Sequence, residues 1–137
     1  MTPEADDRIP GPPERTDSDP DSSGAAPPTA NPYARTRRRG PFTVVEVSGE
    51  IDLATAGFLA EQLDAATSRP DPDVLVDLRG VGFFDCSGLR ELCRAESRAR
   101  ERGGRLRLVS DTPRLHRLLR ASGLLHRFPP LPRIPEE

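Results

Sequence analysis

The chain has no lysine: all 20 of its basic residues are arginine, set against 22 acidic ones. The net charge of -2 offers no overall basic surface for nucleic acid or an anionic membrane. The missing lysine reads as coding bias more than chemistry. No apolar run approaches the ~18 residues of a membrane-crossing helix. The acidic, proline-rich start lacks the basic and apolar blocks of a secretory signal. There are two cysteines, Cys86 and Cys93, and no tryptophan. Seven residues on one helix separate the cysteines by about 10 Å of rise, too far for a disulfide. With no further Cys or His at ligand spacing, no zinc site forms, and no metal or cofactor is expected. A reducing, cytoplasmic location follows as the expectation.

The two histidines are just as limiting. His116 stands among leucines of an amphipathic stretch and His126 lies near the end of the periodic region, so neither is placed as a catalytic base. Ser87 lacks the glycine two residues before it that a nucleophile elbow requires, because Asp85 stands there. Cys86, at the end of a buried strand, reads as a small hydrophobe. Gly80-Val81-Gly82 is not followed by the GK[ST] of a phosphate loop. No pair of pocket carboxylates divides into acid and base. An enzyme is not expected.

The apolar pattern then sets the organisation. Residues 1–32 are rich in Pro, Asp, Ser and Thr and bury too little to offset ordering at roughly 1–2 kcal/mol per residue; they read as a disordered tail. Residues 33–128 hold the core, and 129–137 read as a Pro-rich tail in which regular structure ends. The cluster Arg35-Thr36-Arg37-Arg38-Arg39 is basic enough to touch phosphates, and its plainer reading is a solvated linker at the domain edge.

Within the core, Phe42 to Gly49 alternates as a strand, and Tyr33 to Arg37 allows another before it through the Arg39-Gly40-Pro41 turn. Thr55 to Ser68 has helical spacing at Phe58, Leu59, Leu63 and Ala66, stopped by Pro70 and Pro72. Val74 to Leu78 is a short buried strand that Gly80 and Gly82 break before Phe83-Phe84. Ser87 to Arg102 is an amphipathic helix ended by Gly103-Gly104. Leu106 to Ser110 alternates again. Thr112-Pro113 starts a last helix lined by Leu115, Leu118 and Leu119 and closed by Gly123. Leu124 to Phe128 reads as a short edge strand. The order β-α-β-α-β-α-β predicts an α/β domain: a mixed, mostly parallel sheet of about four or five strands, with helices mainly on one face.

Gly49-Glu50-Ile51-Asp52, Val74 to Leu78, Asp85-Cys86-Ser87-Gly88-Leu89, Gly103-Gly104 and Ser122-Gly123-Leu124, in that order, resemble a STAS domain. Within that superfamily the chain resembles the bacterial anti-sigma factor antagonists. The resemblance implies that Ser87 is phosphorylated by an anti-sigma factor that is itself a serine kinase. The unphosphorylated form would bind that partner and free a sigma factor; the phosphorylated form would let go, and a phosphatase would reset it. Asp52 and Asp85 then flank the phosphosite or partner surface, with Cys86, Gly88, Leu89 and Arg90.

Each of these residues also has a plainer reading. Ser87 serves as a helix N-cap, Asp52 caps the helix starting near Thr55, Asp85 favours the helix dipole, and Gly88 fits a tight turn. Arg90 reads equally as a phosphate clamp or a solvated residue. Cys86 and Arg90 depart from the family pattern, as does the Pro-rich ending where relatives continue into a final helix. The alternative function is a STAS scaffold or adaptor in a sensory or transport-associated complex, with Ser87 structural. Neither direct nucleic-acid contact nor a membrane is expected, and the sequence leaves the oligomeric state open.

Overall fold

Alternation of apolar and polar residues builds the sheet. In the computed structural model, which describes residues 28–136, Val45, Val47, Val74, Val76, Leu78, Leu106 and Leu108 all point to one face and are buried there. They belong to β2 (Phe42–Ile51), β3 (Asp73–Phe84) and β4 (Arg105–Val109), which pair in parallel. The first strand, β1 (Ala34–Arg39), pairs antiparallel to β2, giving a four-stranded mixed sheet in the order β1-β2-β3-β4. The reading of residues 1–32 as a disordered tail falls outside the described residues for 1–27 and is corrected for the remainder. The carbonyl of Thr29 accepts from Gln62, and Asn31 donates to the carbonyl of Phe58 and accepts from the amides of Tyr33 and Ala34, so the ordered part begins before Tyr33.

Three helices cover the Val45/Val76 face. Helix α1 (Ala56–Ala66) brings Leu59 and Leu63, α2 (Cys86–Glu101) brings Leu89, Leu92, Ala95 and Ala99, and α3 (Pro113–Ala121) brings Leu115 and Leu119. Each set recurs at three- and four-residue steps, as one helix face requires. One polar side chain is also buried on α1. Gln62 accepts from the Thr36 hydroxyl at 2.7 Å and donates to the carbonyl of Thr29 at 2.9 Å, fastening β1 and the segment before it.

Three further expectations are corrected. Strand β3 does not stop at Gly80 but runs on to Phe84. Twice along this stretch it carries one residue more than β2, with Ser48 opposite Gly80, Gly49 opposite Val81 and Glu50 opposite Phe83. Glycine suits such bulges, which bend a strand without ending it. Leu124 to Phe128 is not a strand. Gly123, at φ 76°, reverses the chain, and the amides of Arg127 and Phe128 both bond back to the carbonyl of Leu124. Arg127 then reaches α2, donating to the buried Glu96 at 2.9 Å and to the carbonyl of Cys93 at 3.0 Å, and Phe128 is buried.

Past Pro129 the chain still makes one isolated bridge to the sheet. Leu131 exchanges backbone bonds with Leu108 and Ser110 along the outer edge of β4, and Ile134 packs with Phe42, Val44, Leu75 and Val109. This segment covers part of the sheet face that no helix reaches.

The remainder of that face is charged. Glu46 accepts from Arg35 at 2.8 Å and Arg37 at 2.7 Å, and Asp77 accepts from the side chain and backbone of Arg79. Burial alone pushes both carboxyls up. The arginine hydrogen bonds and charges outweigh it, and both titrate below their ordinary values of 4.5 and 3.8. A carboxyl held low in the fold contributes stability above its ordinary value and loses it as pH falls through the depressed one. The urea midpoint is therefore expected to hold steady from neutrality to about pH 5 and to fall below about pH 4. Glu46→Gln with Asp77→Asn should make that fall shallower, at a cost near neutrality of about 1 kcal/mol. An unchanged acid limb would assign the loss to other groups.

Candidate functional site

The carboxyl ends of β2 and β3 meet where the chain enters α1 and α2. The amide of Asp85 donates to the carbonyl of Ile51 at 3.2 Å, holding the two loops together. Loops at this end of an open α/β sheet are the usual place for a ligand or partner.

Asp85, in extended conformation, is the N-cap of α2. Its Oδ1 accepts from the amide of Ser87 at 2.8 Å, and its carbonyl accepts from the amides of Gly88 and Leu89. Ser87 is therefore not the cap but the second residue of the helix. Among the described residues its hydroxyl has no hydrogen-bond partner, and the residue is half-buried beside the exposed Cys86. Truncation at Asp85→Ala is expected to cost about 1 kcal/mol in chemical denaturation, with Asp85→Asn recovering most of it because asparagine caps equally well. Equal losses in both variants would show that the charge, not the cap, matters.

Asp52 is occupied too, but it is not the cap of α1, a position held by Thr55; it closes the turn before the helix. Its Oδ1 accepts from the amides of Ala54 and Thr55, while the Thr55 hydroxyl donates to the carbonyl of Glu50 at 2.8 Å. Both acidic residues singled out from the sequence thus fix loop geometry around Ser87. Gly88 has a packing reason more specific than a tight turn. A Cβ there would lie 2.5 Å from Cζ of Phe84, so the first turn of α2 rests directly on that ring. Leu89 is buried beneath the turn and offers no surface. Arg90 is exposed, three residues beyond Ser87 on α2, and pairs with no carboxylate among the described residues.

Sequence reading missed the apolar rim. Leu53 is 79% exposed immediately after Asp52, and Phe83 is 44% exposed two residues before Asp85. The signal was present: Leu53 falls outside the helical period of α1, and alternation turns one of the paired phenylalanines outward. Phe83 also borders a cleft of about 480 Å³ between the end of β3 and the start of α3. Leu78, Phe84 and Leu115 lie among its lining residues, with Arg114 and Arg117 from α3. Among the described residues no helix is long and apolar enough to cross a membrane, and no group of three or more His, Cys, Asp or Glu is placed to hold a metal ion.

A small mixed sheet covered by helices on one face, with a capped α2 presenting a serine at the end of β3, defines a STAS-type domain. Residues 34–132 match the family described as "Mlab, STAS domain", and the chain belongs to that family. It is 31% identical over 87 residues to an anti-sigma F factor antagonist of Paenibacillus polymyxa, covering 63% of this chain and 74% of that one. It is 35% identical over 83 residues to the anti-sigma-F factor antagonist RsfA of Mycobacterium tuberculosis, covering 58% of this chain and 64% of that one. The crystal structure of an anti-sigma factor antagonist from Mycobacterium paratuberculosis superposes with a TM-score of 0.68 at 28% identity, covering 77% of this chain and 92% of that one.

Proposed function

We propose that this protein is an anti-sigma factor antagonist switched by phosphorylation of Ser87. The observation that carries the reading is the Ser87 hydroxyl at the second position of α2, which has no hydrogen-bond partner among the described residues. Asp85 is occupied in capping α2, and Asp52 in holding the amides of its own loop. A phosphate on the Ser87 hydroxyl meets the positive dipole end of the helix. The amides of Ser87, Gly88 and Leu89 already donate to Asp85, so the dipole and not free N–H groups favours the anion. The exposed Leu53 and Phe83 supply apolar contact for a protein partner at the same end of the sheet. That partner is an anti-sigma factor with serine-kinase activity; the unphosphorylated form binds it and releases the sigma factor, and a phosphatase restores the cycle. The protein acts by binding and is itself a substrate.

The test incubates the full chain with its anti-sigma factor and ATP and maps the phosphate by mass spectrometry. One phosphate on Ser87, with none on Ser87→Ala and undiminished binding of that variant, is expected. Phosphate on another residue, or equal labelling of Ser87→Ala, overturns the assignment.

A further inference from the structure

The cleft between β3 and α3 has an apolar floor and a basic wall. Val81, Phe83, Pro113 and Leu115 line it, and Arg114 and Arg117 flank them, with no carboxylate among the lining residues. Arg114 is fixed at the rim by a 2.7 Å bond to the carbonyl of Gly82, and among the described residues neither arginine pairs with an acid. Such a surface selects an occupant that is apolar at its centre and anionic at its flanks.

The chain carries a segment of that composition outside the described residues. Residues 1–27 hold seven acidic residues and two arginines, whereas the rest of the chain holds 15 acidic residues and 18 arginines. Within the segment, Ile9-Pro10-Gly11-Pro12-Pro13 lies between Asp6-Asp7-Arg8 and Glu14-Arg15, with a further carboxylate at Glu4, so acid exceeds base on its flanks by four to two. Proline-rich sequence docks on aromatic-lined grooves because little entropy remains for it to lose. Reach is no obstacle. The 14 steps from Pro28 back to Glu14 span roughly 45 Å at ~3.3 Å each, and a domain of this size has a radius of gyration of only about 13 Å.

We propose that the acidic, proline-rich N-terminal segment of this chain docks into the β3–α3 cleft, with Ile9 to Pro13 against Phe83 and its carboxylates facing Arg114 and Arg117. The docking is intramolecular, so a weak contact suffices: the tether supplies a high local concentration.

Trypsin cleavage after Arg8 and Arg15 tests it on the full chain. A synthetic peptide of residues 1–27 gives the unprotected rate. At about 0.01 M salt, where charges act over ~30 Å, both bonds in the full chain should be cut on the order of tenfold more slowly than in the peptide. Protection should vanish near 1 M salt, and also in an Arg114→Gln, Arg117→Gln variant whose circular dichroism shows it folded. Cleavage of the full chain at the peptide's rate at low salt overturns the proposal without reference to any variant. Protection that survives in the folded cleft variant places the segment elsewhere and overturns it too. Protection that rises with protein concentration assigns the cleft to the segment of a second copy, and the intramolecular reading falls.

Discussion

Replacing Gly104 by alanine is expected to destabilise the domain by about 3 kcal/mol or more, the upper range for overpacking. The reason is backbone, not side chain. A Cβ at this position would stand 1.9 Å from the carbonyl oxygen of Pro72 and 2.5 Å from its nitrogen. Neither atom belongs to a side chain that can swing away. The same carbonyl accepts from the amide of Arg105 at 2.7 Å, and the next residues along, Asp73 and Arg105, open the β3–β4 pairing. Relieving the clash therefore means prying apart the start of two adjacent parallel strands. For a domain of this size the loss corresponds to a fall in Tm of roughly 12–24 °C. Gly57→Ala is the control: nothing lies within 4 Å of a Cβ there, and the residue sits in α1. It should be neutral or stabilise by up to ~1 kcal/mol. A Gly104→Ala variant that melts with wild type would show that the strand starts can separate at little cost.

That contact was invisible in the sequence, where Gly103-Gly104 read only as a helix stop. Periodicity reports which face of an element is apolar; it says nothing about where two backbones touch. The same limit explains the other misreadings. Gly80 and Gly82 looked like breaks because a bulge is defined by the partner strand, and Ser48 to Glu50 supply the pairing that keeps β3 whole. Leu124 to Phe128 carried a strand-like apolar content, but its path is set by the Gly123 reversal and the anchoring of Arg127 on Glu96, a pairing 31 residues apart. Leu131 and Ile134 were hidden among prolines, which mask a two-residue pairing at a sheet edge.

What was legible was local. The valine runs, the Thr112-Pro113 helix start and the amphipathic face of α2 each declare themselves within one element. The serine at the strand-to-helix junction was legible for the same reason, whereas the division of labour around it was not. Which of Asp85 and Ser87 caps the helix depends on one dihedral at Asp85, and composition at that point permits either. The structure gives the cap to Asp85 and, among the described residues, leaves the serine hydroxyl without a partner.

Phosphorylation of Ser87 is expected to lower affinity for the anti-sigma factor by about a hundredfold or more while moving the stability of the free protein by less than about 1 kcal/mol. The two effects differ because the phosphate meets different surroundings in each state. In the free protein it adds about -1.5 to -2 charge at the amino end of α2, where an exposed anion gains only ~0.3–1 kcal/mol and the nearby Asp85 carboxylate opposes part of that. Arg90, exposed on the same helix, adds a modest attraction through solvent. In the proposed complex the phosphate would lose its water against the partner, where the exposed Leu53 and Phe83 are apolar and Arg90 is, among the described residues, the one exposed cation placed near it on α2. Stripping water from an unpaired charge costs several kcal/mol, and every 1.4 kcal/mol of it is tenfold in affinity. Calorimetric titration of the stoichiometrically phosphorylated protein against its partner, beside its urea denaturation, separates the two. A hundredfold loss of affinity with an unmoved urea midpoint places the switch at the docking surface. Equal affinities would remove Ser87 from the interface. A large shift in the midpoint would mean instead that the phosphate acts by loosening the start of α2, through the Asp85 cap and the Gly88–Phe84 contact that hold it.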